Sequence, residues 1–415
     1  MTSFSIEDTS LHLHALKLLE DSDRLLAYLQ AGPEGEGVYR YDQITTEWLE
    51  QVLSNGVADA RVTDWSRTGG HDGMTERHFL NITWNEAGQR HKLPTSVFIK
   101  ATPDNAHLRE MLSMLHMAEL ECNVYNICSE DLAEHIPRCY YAKSYPGGRF
   151  IILMENLEHR NIQVHWMGDN CSIETARKVA IALGHIHATY WNSERFMSDM
   201  VWVRPRTRRF GENWMRETFD RSQKAFLASE LGETCPAYVR DLITEWNKHS
   251  PLCHAYFDTK PATLVHGDSH LGNILEYPDG RAGYYDWQCL YRGYGLRDLA
   301  YFMMSALTVD DVKLHDRKLF NIYTNTLKEH GIELHEEEAW ADYNLLRMDR
   351  FDSAMVSTTQ GAGYGHARHA FERQVKTLSY IVEKEDVASI LRNVVETGHV
   401  LRGDTKAVVF GQNGC

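Results

Sequence analysis

Three oxygen-bearing side chains fall close together in the run LVHGDSHLGNILEYPDGRAGYYD at residues 264–286: Asp268, Asn273 and Asp286. A positioned carboxylate can orient a hydroxyl group and take its proton. Carboxylate and amide oxygens are also the hard donors that Mg²⁺ accepts alongside substrate phosphates. The run opens on apolar Leu264-Val265, breaks at His266-Gly267-Asp268, resumes at 274–277, and continues at 282–286 after Pro278-Asp279-Gly280. Asp-Gly between two extended runs predicts a hairpin with a two-residue primed turn, whose central residues both take positive φ. Counting outward from Asp279-Gly280 pairs Tyr277 with Ala282, Leu275 with Tyr284 and Asn273 with Asp286. Opposed residues hold their Cβ atoms roughly 5 Å apart, so this register sets an amide oxygen beside a carboxylate. Asp268 lies on the loop that feeds the hairpin.

The spacing Asp-x4-Asn, followed by an Asp at the end of a hairpin, is the spacing of a phosphoryl-transfer loop. Here the chain resembles the aminoglycoside, choline and ecdysteroid phosphotransferases, which share the signature H-G-D-x4-N followed by D-[FW]-[GQ]. It stands in this sequence as His266-Gly267-Asp268, Asn273 and Asp286-Trp287-Gln288. The resemblance implies an α+β, bilobal protein-kinase-like fold, with a small antiparallel-sheet N-lobe and a larger, mainly helical C-lobe. It also implies ATP and Mg²⁺, with Asp268 as the catalytic residue and Asn273 and Asp286 as metal ligands. In such enzymes the Asp of the Gly293 to Ala300 element holds the catalytic loop through backbone N–H groups, which makes Asp298 scaffold. His266 and His270 are read as residues that fix the same loop. Eleven residues separate Asp286 from Asp298 and no Ala-Pro-Glu follows, so nothing is left to seat a peptide substrate.

The elements that must position these groups come earlier. Residues 62–66, 77–84 and 96–100 alternate or run apolar, which predicts three antiparallel strands. The first turn carries Gly69, Gly70 and Gly73, and Gly70 and Gly73 are the expected phosphate-covering backbone. The second turn is Asn85-Glu86-Ala87-Gly88. Lys100 closes Val97-Phe98-Ile99-Lys100, a match to the kinase V-A-I-K strand whose Lys holds phosphates. A single helix is predicted over 107–128, with Glu119 and Glu121 flanking its apolar stripe. The family pattern E-x-x-[FV]-Y fits Glu121 to Tyr125 and selects Glu121 as the partner of Lys100. A buried strand at 149–154 then leads into Glu155-Asn156-Leu157, which resembles the hinge whose backbone at Glu155 and Leu157 meets adenine.

Around this core the sequence predicts an N-terminal helical extension at 1–56, an N-lobe at 57–157 and a C-lobe at 158–415. The extension holds helices at 11–29 and 44–53. In the C-lobe, Ser172 is the N-cap expected for a helix through Tyr190. Arg204, Arg206, Arg208 and Arg209 form a basic loop in an acidic chain, and Gly361 to Gly365 form a glycine loop with no strand before it.

Composition bounds the partners. The chain has 415 residues, 43% hydrophobic and 24% charged, with 43 Lys and Arg against 58 Asp and Glu for a net charge of −15. That balance argues against nucleic acid and anionic membrane, both of which call for basic surface. No apolar run is long enough to span a bilayer and no secretory signal opens the chain, so a cytoplasmic protein is expected. Eight scattered cysteines without a C-x-x-C pair read as reduced packing residues. The leading reading is an ATP-dependent small-molecule kinase acting on the hydroxyl of a neutral or cationic acceptor. The alternatives are an aminoglycoside-type antibiotic phosphotransferase, a serine hydrolase using Ser269, and a non-catalytic ATP-binding protein. Nothing in the sequence names the acceptor or an oligomeric state.

Overall fold

The computed structural model describes residues 37–206, 212–359 and 365–401. The helix expected over 11–29, together with Arg208, Arg209, Gly361 and Gly363, lies outside them. Within the described residues the chain forms two units: 37–164 with 275–290, and 165–274 with 291–401. This division differs from the expected one at three places. The helix Thr46–Leu53 belongs with the sheet, and so do residues 158–164 and the hairpin segment 275–290.

The first unit is built on a five-stranded sheet of β1 (Val62–Asp72), β2 (Glu76–Trp84), β3 (Ser96–Ala101), β4 (Cys139–Tyr145) and β5 (Arg149–Glu155). Its order is β1-β2-β3-β5-β4, and every neighbouring pair is antiparallel. Period-2 alternation separates the two faces. Leu80, Ile82, Val97, Ile99, Ile151 and Leu153 form a core with Leu49 and Leu53 of α1 (Thr46–Leu53). Each such side chain contributes about 1.5–3 kcal/mol when fully buried. That apolar packing is why α1 is part of this unit and not an extension. The opposite face carries Arg77, Phe79, Phe98, Lys100, Ile152 and Met154, in rows set by the register Arg77↔Lys100↔Ile152 and Phe79↔Phe98↔Met154.

Three local expectations are corrected. Gly69 and Gly70 lie inside β1, where a bulge between Thr68 and His71 shifts the register, and only Gly73 sits in the turn. Gly70 has φ 118°, and a Cβ there would collide with the Arg77 carbonyl oxygen, so only glycine fits. The helix over 107–128 is broken into α2 (Ala106–Met114) and α3 (Met117–Asn123), followed by a π turn. His116, left-handed at φ 51°, makes the break. The hairpin after β8 (Ile274–Glu276) is a three-residue loop. The Gly280 N–H donates to the Tyr277 carbonyl, and the Tyr277 N–H donates to Arg281, both at 2.9 Å. Pro278 suits the second position of a type I turn, and Gly280 takes the left-handed place after it at φ 90°. Tyr277 therefore faces Arg281 instead of Ala282, and the counted pairing of Asn273 with Asp286 no longer follows. The strand β9 (Ala282–Tyr284) neighbours β8, which also pairs with β6 (Gln163–Val164).

The second unit is mainly helical: α4 (Ile173–Thr189), α5 (Glu212–Leu227), α6 (Ala237–Phe257), α7 (Leu296–Ala306), α8 (Val309–Glu329), α9 (Glu336–Thr359), α10 (Gly365–Glu385) and α11 (Val387–Leu401). Ser172 caps α4, accepting the Thr175 N–H at 3.0 Å. Every residue of α7 is buried, which makes it the central element of this unit. The short strands β7 (Thr263–Val265) and β10 (Tyr291–Gly293) pair antiparallel just before the 266–273 loop and just before α7. No helix among the described residues is long and apolar enough to cross a membrane.

Candidate active site

On the sheet unit the register sets Arg77 directly opposite Lys100. Like charges so opposed repel, and Asp286 answers both. Its Oδ1 lies 2.7 Å from Lys100 Nζ and its Oδ2 lies 3.5 Å from Arg77 Nη2. Glu121 on α3 adds a second carboxylate, with Oε2 at 2.6 Å from Lys100 Nζ. Glu119, by contrast, is 54% exposed and stands beside His116. Two cations thus meet two carboxylates where Lys100 is 3% and Glu121 1% exposed. Burial alone would pull the Lys100 ammonium down, but Asp286 and Glu121 outweigh it and hold it above its ordinary value. Burial dominates at Glu121 and pushes its carboxyl up to about 7 against the pull of Lys100. Asp286 reaches this cluster from a left-handed backbone at φ 63°, a conformation that costs a non-glycine residue roughly 1 kcal/mol.

This cluster forms the polar end of a cavity of about 180 Å³ whose walls include Phe79, Phe98, Met154, Ile162 and Val164. Glu155 and Leu157 line it as well. The Glu155 carboxylate is already engaged by the Arg138 N–H at 2.8 Å and by Arg160 at 2.9 Å, and the Glu155 N–H donates to the Arg138 carbonyl at 2.9 Å. Leu157 opens a 3₁₀ turn (Leu157–Arg160), and the first N–H groups of such a turn have no partner within it. Gly70 and Gly73 are not among the lining residues.

In the helical unit the loop 266–273 is tied down by α7. Asp298, fully buried, accepts the His266 N–H at 2.6 Å and the Gly267 N–H at 3.1 Å. His187 stands 3.4 Å from the same carboxylate. The Asp268 N–H donates to His266 Nδ1 at 3.2 Å. The Asp268 carboxylate, 29% exposed, accepts the Tyr301 hydroxyl at 2.7 Å on Oδ1 and lies 3.4 Å from His270 Nε2 through Oδ2. Burial works against its charge, yet His270 and Tyr301 outweigh it and hold Asp268 well below the usual carboxylate range. An anion at this position can accept a proton and orient a hydroxyl. Ser269 is fully buried, which closes it to any substrate as a nucleophile.

Each unit offers an oxygen donor of the hard kind that Mg²⁺ accepts. The Asn273 amide nitrogen donates to the Asp268 carbonyl at 2.9 Å, which leaves Oδ1 as the free oxygen. Asp286 supplies carboxylate oxygens. Among the described residues no three His, Cys, Asp or Glu side chains are grouped to hold a metal by themselves.

Several participants were missed from the sequence. Arg77 lies two positions before Phe79 on the same strand face, a signal that period 2 offers. Tyr301 follows Asp298 by three residues, one helical turn, so both can face the loop. Arg206 of the basic loop is spent internally, on Asp349 and His254. Arg297 likewise bonds Asp349, at 2.9 Å.

No curated protein sequence matches the chain. Among solved structures, a choline kinase from Streptococcus pneumoniae is 15% identical, covering 82% of this chain and 99% of its own, with a TM-score of 0.43. A Plasmodium vivax ethanolamine kinase is 13% identical, covering 82% and 84%, with a TM-score of 0.47. An aminoglycoside 2′-phosphotransferase solved with GDP is 10% identical, covering 81% and 99%, with a TM-score of 0.47. The ecdysteroid kinase-like family matches residues 77–336, well over half of the chain and including every candidate site residue except Gly70 and Gly73. The chain belongs to the ecdysteroid kinase-like family, has the α+β protein-kinase-like fold, and is by that membership a small-molecule kinase or phosphotransferase.

Proposed function

We propose that the chain transfers the γ-phosphoryl group of ATP to the hydroxyl of a small neutral or cationic alcohol. The observation that carries this reading is the sheet-unit cavity: apolar walls wide enough for a base, ending at a Lys100 ammonium held by Glu121 and Asp286. Lys100, steadied by Glu121, holds the α and β phosphates, and the backbone of Glu155 and Leu157 meets the adenine edge. Asp268 orients the acceptor hydroxyl. As the acceptor oxygen bonds to the γ-phosphorus and the bond to the ADP oxygen breaks, Asp268 takes the hydroxyl proton. Asn273 and Asp286 would hold Mg²⁺, which supplies charge to offset the phosphates.

The acceptor charge follows from electrostatics. A chain of net charge −15 repels a second anion beside ATP, and Arg206 and Arg297 are already committed to Asp349. The family name makes an ecdysteroid, a neutral polyol, the first acceptor to try, with choline and kanamycin as cationic comparisons. The test is ATP consumption with Mg²⁺ over these and over matched alcohols that differ only in charge. The expected result is phosphorylation of a neutral or cationic member. No ATP-dependent transfer to any alcohol defeats the kinase reading; a kcat/KM preference for the anionic member defeats the acceptor assignment alone.

A further inference from the structure

We propose that Tyr301 is a positioning residue that pins one oxygen of Asp268, leaving the other to receive the acceptor proton. The inference rests on Asp268 being the base, as argued above. Tyr301 is 4% exposed on α7, and its hydroxyl lies 2.7 Å from Asp268 Oδ1. Arg350 Nη1 stands 3.2 Å from the same hydroxyl oxygen. A guanidinium has donors and no acceptor, so Arg350 must donate to that oxygen. The hydroxyl has a single proton, and its remaining partner is an ionised carboxylate. The proton therefore points at Asp268, and the direction of the whole chain is fixed: Arg350 to Tyr301 to Asp268.

Two guanidiniums also lie over the Tyr301 ring, Arg297 at 4.3 Å and Arg350 at 4.5 Å from its centroid. They lock the ring, since stacking and hydrogen bonding both oppose its rotation. Arg350 is 6% exposed and, among the described residues, has no carboxylate at ion-pair distance. Its charge acts on the phenol, and donation to the phenol oxygen makes the O–H a stronger donor. Packing alone would be satisfied by phenylalanine; the hydroxyl is what reaches the base. With Oδ1 held, the carboxylate cannot swing, and Oδ2, 3.4 Å from His270 Nε2, is the oxygen presented for the proton. Proton transfer then moves hydrogen from the acceptor oxygen to Oδ2 while the γ-phosphoryl group moves from ATP to that oxygen and ADP leaves.

The test is a double-mutant cycle of Tyr301→Phe with Asp268→Asn, using Mg²⁺, ATP and the alcohol from the panel above with the fastest turnover. Tyr301→Phe should lower kcat by about 10- to 100-fold, the worth of one hydrogen bond to a charged group. KM for both substrates should stay within a few-fold, and the loss should vanish in the Asp268→Asn background. Equal losses in both backgrounds, an unchanged kcat, or a loss confined to KM would each overturn the proposal while leaving the kinase reading intact. A wild-type chain inert toward every alcohol removes that reading and this inference together. Arg350→Met should reproduce part of the kcat loss only where Tyr301 is present; a loss of the same size in Tyr301→Phe contradicts the chain of donors.

Discussion

Replacing Glu121 with glutamine should make the protein more stable at neutral and alkaline pH while weakening its hold on ATP. The usual expectation is the reverse, because breaking a buried ion pair strands its partner. Here Lys100 keeps Asp286 at 2.7 Å when the Glu121 charge is gone. What disappears is the burden of an ionised carboxylate at 1% exposure, whose Oε1 has no hydrogen-bond partner. Burial lifts that carboxyl from an ordinary 4.5 to about 7. At about 1.4 kcal/mol per pH unit, the ionised form costs the fold about 3 kcal/mol. The sign follows from proton binding. Between pH 4.5 and 7 the folded state holds the Glu121 proton and the unfolded state has released it, so wild-type stability falls as pH rises through that window. Glutamine has no such penalty. The Glu121→Gln variant should therefore unfold above the wild type at pH 8, by roughly 6–12 °C for a unit of this size. The gap should shrink below pH 7 and close near pH 4.5. Thermal unfolding from pH 5 to 8, with and without Mg²⁺ and ATP, reads both effects. A variant less stable than wild type at pH 8, or a gap independent of pH, would refute the reasoning about this charge cluster.

Two further outcomes test the remaining roles. Asp286→Asn should remove the Mg²⁺-dependent part of the stabilisation that ATP confers in a thermal-shift assay, because it deletes the carboxylate assigned to the ion; an undiminished Mg²⁺ effect rejects that assignment. Asp268→Asn should cut turnover by about 10²- to 10⁴-fold and leave the same thermal shift in place, the signature of a group that meets the acceptor proton. Equal loss of ATP binding and turnover would instead make Asp268 a ligand or a folding residue.

The chemistry of this protein was legible in short stretches where spacing alone constrains geometry. Asp268, Asn273 and Asp286 stand within one loop and hairpin, and Lys100 ends a strand whose period-2 pattern sets its face. Ser172 as an N-cap was equally local, since a cap needs only its own helix. Where the turn type mattered, Asp-Gly by itself did not choose between a two-residue and a three-residue loop. Pro278 did, because its fixed φ fits the second position of a type I turn, and the strand register moved by one residue with it. Other choices lay beyond any local pattern. Helix spacing alone points Glu119 and Glu121, two residues apart, to different sides; the pattern from Glu121 to Tyr125 selected Glu121, and the packing of α3 against the sheet is what sets it on Lys100. Arg350 is 49 residues from Tyr301 along the chain, and only the packing of α9 and α7 brings a guanidinium onto that phenol. The physical reason is one of scale. Spacing along a strand, turn or helix is set by backbone geometry over a few residues, whereas which distant side chains meet is set by the summed burial of whole faces, which no single segment encodes.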